Sequence, residues 1–178
     1  LAATGNPLAM PMTLKAECAG GERLLLLIHG LCRHDRHWHR NGHDHGAALA
    51  RDLGFKPVYL NYNTGLHISA NGRALAELLE TRLTLGSTPV ASLSILAHSM
   101  GGLVARSACH QAALAGQRWL GSLRHLVFLG THHHGSRVER GGHLVEQVLG
   151  AAPWVGPLAR LAQVRSAGIT DLRYGNLL

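Results

Sequence analysis

Apolar and polar positions fall in blocks along this chain, and the blocks predict its elements. Leu24–His29 (LLLLIH) is a continuous apolar run. Such a run marks a strand buried on both faces, as in a parallel sheet that is covered above and below. Further strands are predicted at Pro57–Tyr62, Leu93–Ala97 and Leu123–Leu129. Between them the period lengthens. Ala47–Leu53 reads as a short helix stopped by Gly54. Leu75, Leu78, Leu79 and Leu83 lie at helical spacing, with Arg73, Glu77, Glu80 and Thr81 on the other face. That is an amphipathic helix, expected to start near Ser69 or Asn71 and to end by Gly86 and Pro89. Met100 to about Ala115 reads as a third helix. Strands that alternate with helices predict right-handed βαβ units, hence an α/β fold whose parallel sheet is covered by helices on both faces.

The pattern also sets the organisation, a single domain over 1–178. Residues 1–22 mix Pro, Gly and Ala without a period and read as an irregular lead-in. Residues 23–134 hold the sheet core, in which the polar, His-rich stretch 31–45 reads as a loop. Beyond Gly130 the rhythm changes. Short apolar helices are expected at Gly142–Leu149 and Pro157–Val164, so 135–178 reads as a cap-like helical segment.

Composition adds exclusions. With 178 residues there is room for one domain. A chain that is 46% hydrophobic and 15% charged is not a disordered one. The longest aliphatic run, Leu24–Ile28, falls far short of the roughly 18 residues a spanning helix needs. Residues 1–20 show no signal-peptide pattern, so a cytoplasmic location is the expectation. The net charge of +7 comes from arginines scattered singly, with few aromatics to stack on bases. Nucleic-acid binding is therefore not expected. Cys18, Cys32 and Cys109 form neither a CxxC motif nor an even set, and free thiols are the expectation, with a single bridge as the alternative.

The chemistry concentrates in Ser94-Ile-Leu-Ala-His-Ser-Met-Gly-Gly-Leu-Val104. A predicted strand runs directly into a predicted helix with Ser99 at the joint. Ala97 and Gly101 stand two residues to either side, and Gly102 follows. A serine exposed on so sharp a turn needs small neighbours there, since bulky ones would collide across it. The turn also sets Ser99 at a helix N-terminus, where backbone N–H groups favour developing negative charge.

This segment resembles the nucleophile elbow of the α/β-hydrolase superfamily, in particular its bacterial lipases and esterases, with Ala97 in the first glycine position of G-x-S-x-G. Two further stretches carry the resemblance. His29-Gly30-Leu31 follows the first strand, where the family has its oxyanion loop. Leu129-Gly-Thr-His-His-His-Gly-Ser136 is similar to a loop of lipases and of hydrolases like the GPI inositol deacylases, with His132 in place of a proline. The likeness covers about Leu24 to Ser136, and the stretch Ser166–Gly175 is similar to a cap segment of the lipase-like group.

The resemblance implies a serine hydrolase of carboxylic esters that needs no cofactor. Ser99 would be the nucleophile. The N–H groups of Leu31 and Met100 would form the oxyanion hole. Ala97, His98, Gly101 and Gly102 would shape the elbow, and His29 and Gly30 the oxyanion loop. The substrate would be a small-molecule or lipid ester. Leu149, Trp154, Val155, Leu158 and Leu161 would contact its acyl chain, while His133 and His134 would border the site.

The family order is Ser, then Asp or Glu, then His. Glu139, Glu146 and Asp171 follow Ser99, as do His110, His125, His132, His133, His134 and His143. No histidine follows Asp171, and Glu139 stands only four residues before His143. His98, next to Ser99, is expected to point away from it. The triad acid and base are therefore expected beyond Leu178, and the chain reads as a fragment truncated before the last strands. A catalytically incomplete pseudo-hydrolase or interaction module is the alternative. A third reading is metal binding by His34, Asp35, His37, His39, His43, Asp44 and His45, whose H-x-H spacings suit Zn²⁺. The preferred reading leaves the metal out, with Trp38 covering the core or the acyl pocket.

Overall fold

A computed structural model describes residues 12–15, 21–84 and 90–133. The expected cap at 135–178, Cys18, and the Gly86 and Pro89 helix stop lie outside the described residues.

Among the described residues five strands form one sheet: β1 (Thr13–Lys15), β2 (Arg23–Ile28), β5 (Lys56–Asn61), β6 (Ser92–His98) and β7 (Leu123–Leu129). Their order is β1-β5-β2-β6-β7. The β5/β2, β2/β6 and β6/β7 pairs are parallel and β1/β5 is antiparallel. Three helices connect the strands: α1 (His45–Leu53), α2 (Ile68–Thr84) and α3 (Met100–Leu114). All four strands read from the sequence are present, each within a residue of the expected bounds.

The unbroken apolar run of β2 has the expected cause. Leu24, Leu26 and Ile28 belong to one core with Leu75 and Leu79 of α2 and Leu103 and Val104 of α3. Leu25 and Leu27 face the other side, against Trp38, with Leu49 of α1, Phe55 and Leu96 packed around them. Two separate cores on the two faces make a strand apolar at every position.

Two sequence expectations need correction. The lead-in is not irregular throughout, because Thr13–Lys15 forms the edge strand β1, in register with Asn61, Leu60 and Tyr59. Three residues are too few to show a period, and the strand exists through its pairing with β5. Nor is 31–45 a plain loop. Asp35–Trp38 is a 3-10 turn, and β3 (His39–Arg40) pairs antiparallel with β4 (His43–Asp44). Asn41 and Gly42 join them with φ of 51° and 77°. Positive φ at both central residues of a hairpin is what an Asn-Gly pair supplies. That dipeptide is the signal that a loop reading leaves unused.

The topology opens the place for a site. The connection after β2 leads to α1 on one face, and that after β6 leads to α3 on the other. Connections that leave adjacent parallel strands toward opposite faces leave a crevice at their carboxyl ends.

Candidate active site

That crevice is where β6 turns into α3. Ser99 stands at the turn with φ 53° and ψ −124°. L-residues with a side chain seldom occupy this region, and holding one there costs about 1–3 kcal/mol. The surroundings fix it in place. The Ser99 N–H donates to the Leu129 carbonyl at 2.9 Å, which carries the β6/β7 pairing into the turn. The Ser99 carbonyl accepts from the Gly102 N–H and from the Thr131 hydroxyl, each at 3.0 Å.

Small residues occupy the close approaches. A Cβ on Gly101 would stand 2.5 Å from the His29 carbonyl oxygen and 2.7 Å from that of Ile28. One on Gly102 would overlap the Thr131 side chain and reach 2.8 Å from Phe128. One on Gly30 would meet both Ser99 Cβ and His98 Nδ1 at 3.0 Å. Ala97 is fully buried beneath the turn. The His29-Gly30 loop thus touches the serine turn directly.

His29 anchors the loop from below. It is buried, stacks on Tyr62 with ring centroids 4.5 Å apart, and its Nδ1 lies 3.0 Å from the Gly30 carbonyl oxygen. Nδ1 therefore carries the proton and donates. Burial holds the imidazole below the ordinary histidine pKa, in spite of that bond. The Tyr62 hydroxyl donates to the His29 carbonyl at 2.7 Å, and burial raises its pKa. Tyr62 and Thr131 support the site without having been singled out in the sequence, since neither hydrogen bond follows from residue spacing.

The structure brings together His29, Gly30, Ala97, His98, Ser99, Gly101 and Gly102. Leu31 and Met100 lie on the two segments that meet here, and their N–H groups have no acceptor among the described residues. Met100 is fully buried and Leu31 packs against the core. His98 lines a cleft together with His29, Arg33, Trp38 and Leu129. Burial, then the charge of Arg33, lowers its pKa.

Other histidines stand elsewhere. His125 pairs with Ser94 at 3.2 Å, His133 Nδ1 lies 2.9 Å from Arg106 Nη1, and His110 is exposed on α3. Among the described residues, no histidine or carboxylate hydrogen-bonds the Ser99 hydroxyl. No three His, Cys, Asp or Glu side chains converge on a metal position among the described residues. Cys32 and Cys109 are free thiols. No described helix is long and apolar enough to cross a membrane.

A mostly parallel sheet, helices on both faces and a strained serine at a strand-to-helix turn define the α/β-hydrolase class. More narrowly, the chain belongs to the PGAP1-like alpha/beta domain family, whose sequence model matches residues 21–150. No curated protein matches it. Among solved structures, it is similar to the mature lipase BlEst2 of Bacillus licheniformis, with TM-score 0.60 and 18% identity over 92% of this chain and 61% of the lipase. It is also similar to BorB, the type II thioesterase of the borrelidin biosynthetic cluster, with TM-score 0.54 and 15% identity over 92% and 68% of the two chains. A carboxylesterase structure of the Thaumarchaeon Nitrososphaera gargenis aligns with TM-score 0.52 and 15% identity over 80% and 50%. At these identities the likeness is one of fold. The chain spans about three-fifths of the length of the Bacillus lipase.

Proposed function

We propose that this protein is a serine hydrolase of carboxylic esters, with Ser99 as its nucleophile. The observation that carries the reading is the positive φ of Ser99 at the joint of β6 and α3. Strain of this kind persists where the surrounding structure imposes it, and it clusters at functional sites.

In this reading the Ser99 hydroxyl oxygen attacks the ester carbonyl carbon as its proton leaves to a base. The carbonyl oxygen becomes an oxyanion, met by the N–H groups of Leu31 and Met100. Fixed donors there are worth several kcal/mol, because they are aimed before the charge develops. Collapse of the tetrahedral intermediate releases the alcohol and leaves an acyl-enzyme on Ser99. Water then attacks the acyl carbon and releases the acid. We assign the base and its carboxylate partner to segments outside the described residues. Small-molecule and lipid esters both suit the reaction, and no step calls for a cofactor.

The test is hydrolysis of p-nitrophenyl esters of graded chain length by the full-length protein and by Ser99→Ala. Loss of the nucleophile should lower kcat at least about 10³-fold. Full activity in the alanine variant would overturn the assignment.

A second reading rests on the absence, among the described residues, of any acid or base at the Ser99 hydroxyl. A pseudo-hydrolase would keep the turn and lack the proton relay. A fluorophosphonate probe separates the two readings, since covalent labelling of Ser99 requires an activated hydroxyl.

A further inference from the structure

The cleft beside the serine has a composition that simple ester hydrolysis does not require. It measures about 240 Å³ and shares His98 and Leu129 with the turn that holds Ser99. Among the described residues its charged lining consists of Arg33 and Arg40, and no carboxylate lines it. Among the described residues neither arginine forms an ion pair. The nearby acids are engaged elsewhere. Asp35 pairs with Lys15 at 2.5 Å. Asp44 accepts from the Tyr59 hydroxyl at 2.5 Å and the Ala47 N–H at 2.7 Å, and lies 2.8 Å from His39 Nδ1.

Trp38 and His29, only 6% and 1% exposed, form the buried part of the cleft wall.

Unpaired guanidinium groups over a part-apolar wall attract planar oxyanions, which they can grip with two parallel hydrogen bonds. A neutral ester would leave both arginines without a specific partner. We propose that this cleft binds a carboxylate or phosphate group carried by the ester substrate, so that the protein selects negatively charged esters. Arg33 and Arg40 supply the charge, and Trp38 supplies part of the wall. The cleft lies next to Ser99, so the anionic group and the scissile carbonyl belong to one molecule. This selection deepens the ester-hydrolase reading and rests on it.

The experiment compares mono-p-nitrophenyl glutarate with the neutral p-nitrophenyl valerate, using the full-length protein at low ionic strength. The expected result is a kcat/KM at least about 10-fold higher for the charged ester. The ratio should shrink in high salt, because solvent-exposed charges are screened beyond roughly 10 Å at 0.1 M. In Arg33→Gln/Arg40→Gln the ratio should fall to near one, while Arg82→Gln, on the exposed face of α2, keeps it. A ratio near one in the unaltered protein, or one the double variant retains, overturns the proposal. Glutarate and inorganic phosphate as competitive inhibitors distinguish the two anions. Inhibition by either that the double variant loses supports the site, and inhibition by neither counts against it. If neither ester is hydrolysed, the ester-hydrolase reading fails, and binding alone decides the cleft. Tryptophan fluorescence is then titrated with phosphate and with glutarate. Saturable binding that the double variant loses upholds an anion site, and no binding by a folded protein overturns it.

Discussion

At the scale of single residues, the strained serine ties stability to chemistry. Ser99 holds φ 53° and ψ −124°, a conformation glycine adopts at little cost. Ser99→Gly should therefore raise stability by about 1 kcal/mol in urea titration while removing the hydroxyl and with it the hydrolysis. A Ser99→Gly protein less stable than its parent would mean that the turn is not under strain. Small residues at 97, 101 and 102 were legible from the sequence, because only their smallness had to be recognised. The Thr131 and Leu129 contacts that hold the serine were not, since they join positions 32 and 30 residues apart along the chain.

At the scale of elements, α1 shows where reading by period stops. Its start was placed two residues late, because the helix begins within the His-rich stretch and is set by a side chain rather than by a hydrophobic face. Asp44 caps it with a hydrogen bond to the Ala47 N–H and also accepts from Tyr59 of β5. Burial pushes the Asp44 carboxyl up, but these bonds and His39 outweigh it and hold its pKa below the ordinary value. Asp44→Ala removes the cap and leaves the Tyr59 hydroxyl without its acceptor. A loss of about 2–3 kcal/mol is expected in chemical denaturation, with Asp44→Asn keeping part of it. The long apolar strands and α2 were legible because each buries a whole face. Strand β1 and the β3/β4 ribbon were not, because elements of two or three residues owe their existence to the neighbour they pair with.

At the scale of the whole molecule, stability carries a pH signature. Burial holds the His29 pKa below 6.5, and His98 shifts the same way. As pH falls through 6.5, the unfolded chain takes up protons at these sites before the folded one does. The folded state is therefore fully favoured above pH 6.5 and loses stability as pH falls toward the folded pKa values. The slope is at most about 1.4 kcal/mol per pH unit for a buried group. The carboxyls of Asp35, Asp44 and Asp52, also held low, act only below about 3.8. Thermal melts should show a lower Tm at pH 5.5 than at pH 7.5, and His29→Gln should flatten that difference. An unchanged slope in the variant would assign the effect to other groups.

The bond from the Ser99 N–H to the Leu129 carbonyl has a dynamic consequence. It ties Ser99 into the β6/β7 ladder, so its amide can exchange with solvent only when β6 and β7 separate. That opening parts two strands held in register over six residue pairs, against two pairs in the β3/β4 ribbon. Deuterium uptake should therefore be slow at Ser99 while the neighbouring hairpin of β3 and β4 takes up label quickly. The hydroxyl proposed as nucleophile would then sit on a quieter backbone than the hairpin beside it, and turnover would draw its motion from the loops around the serine.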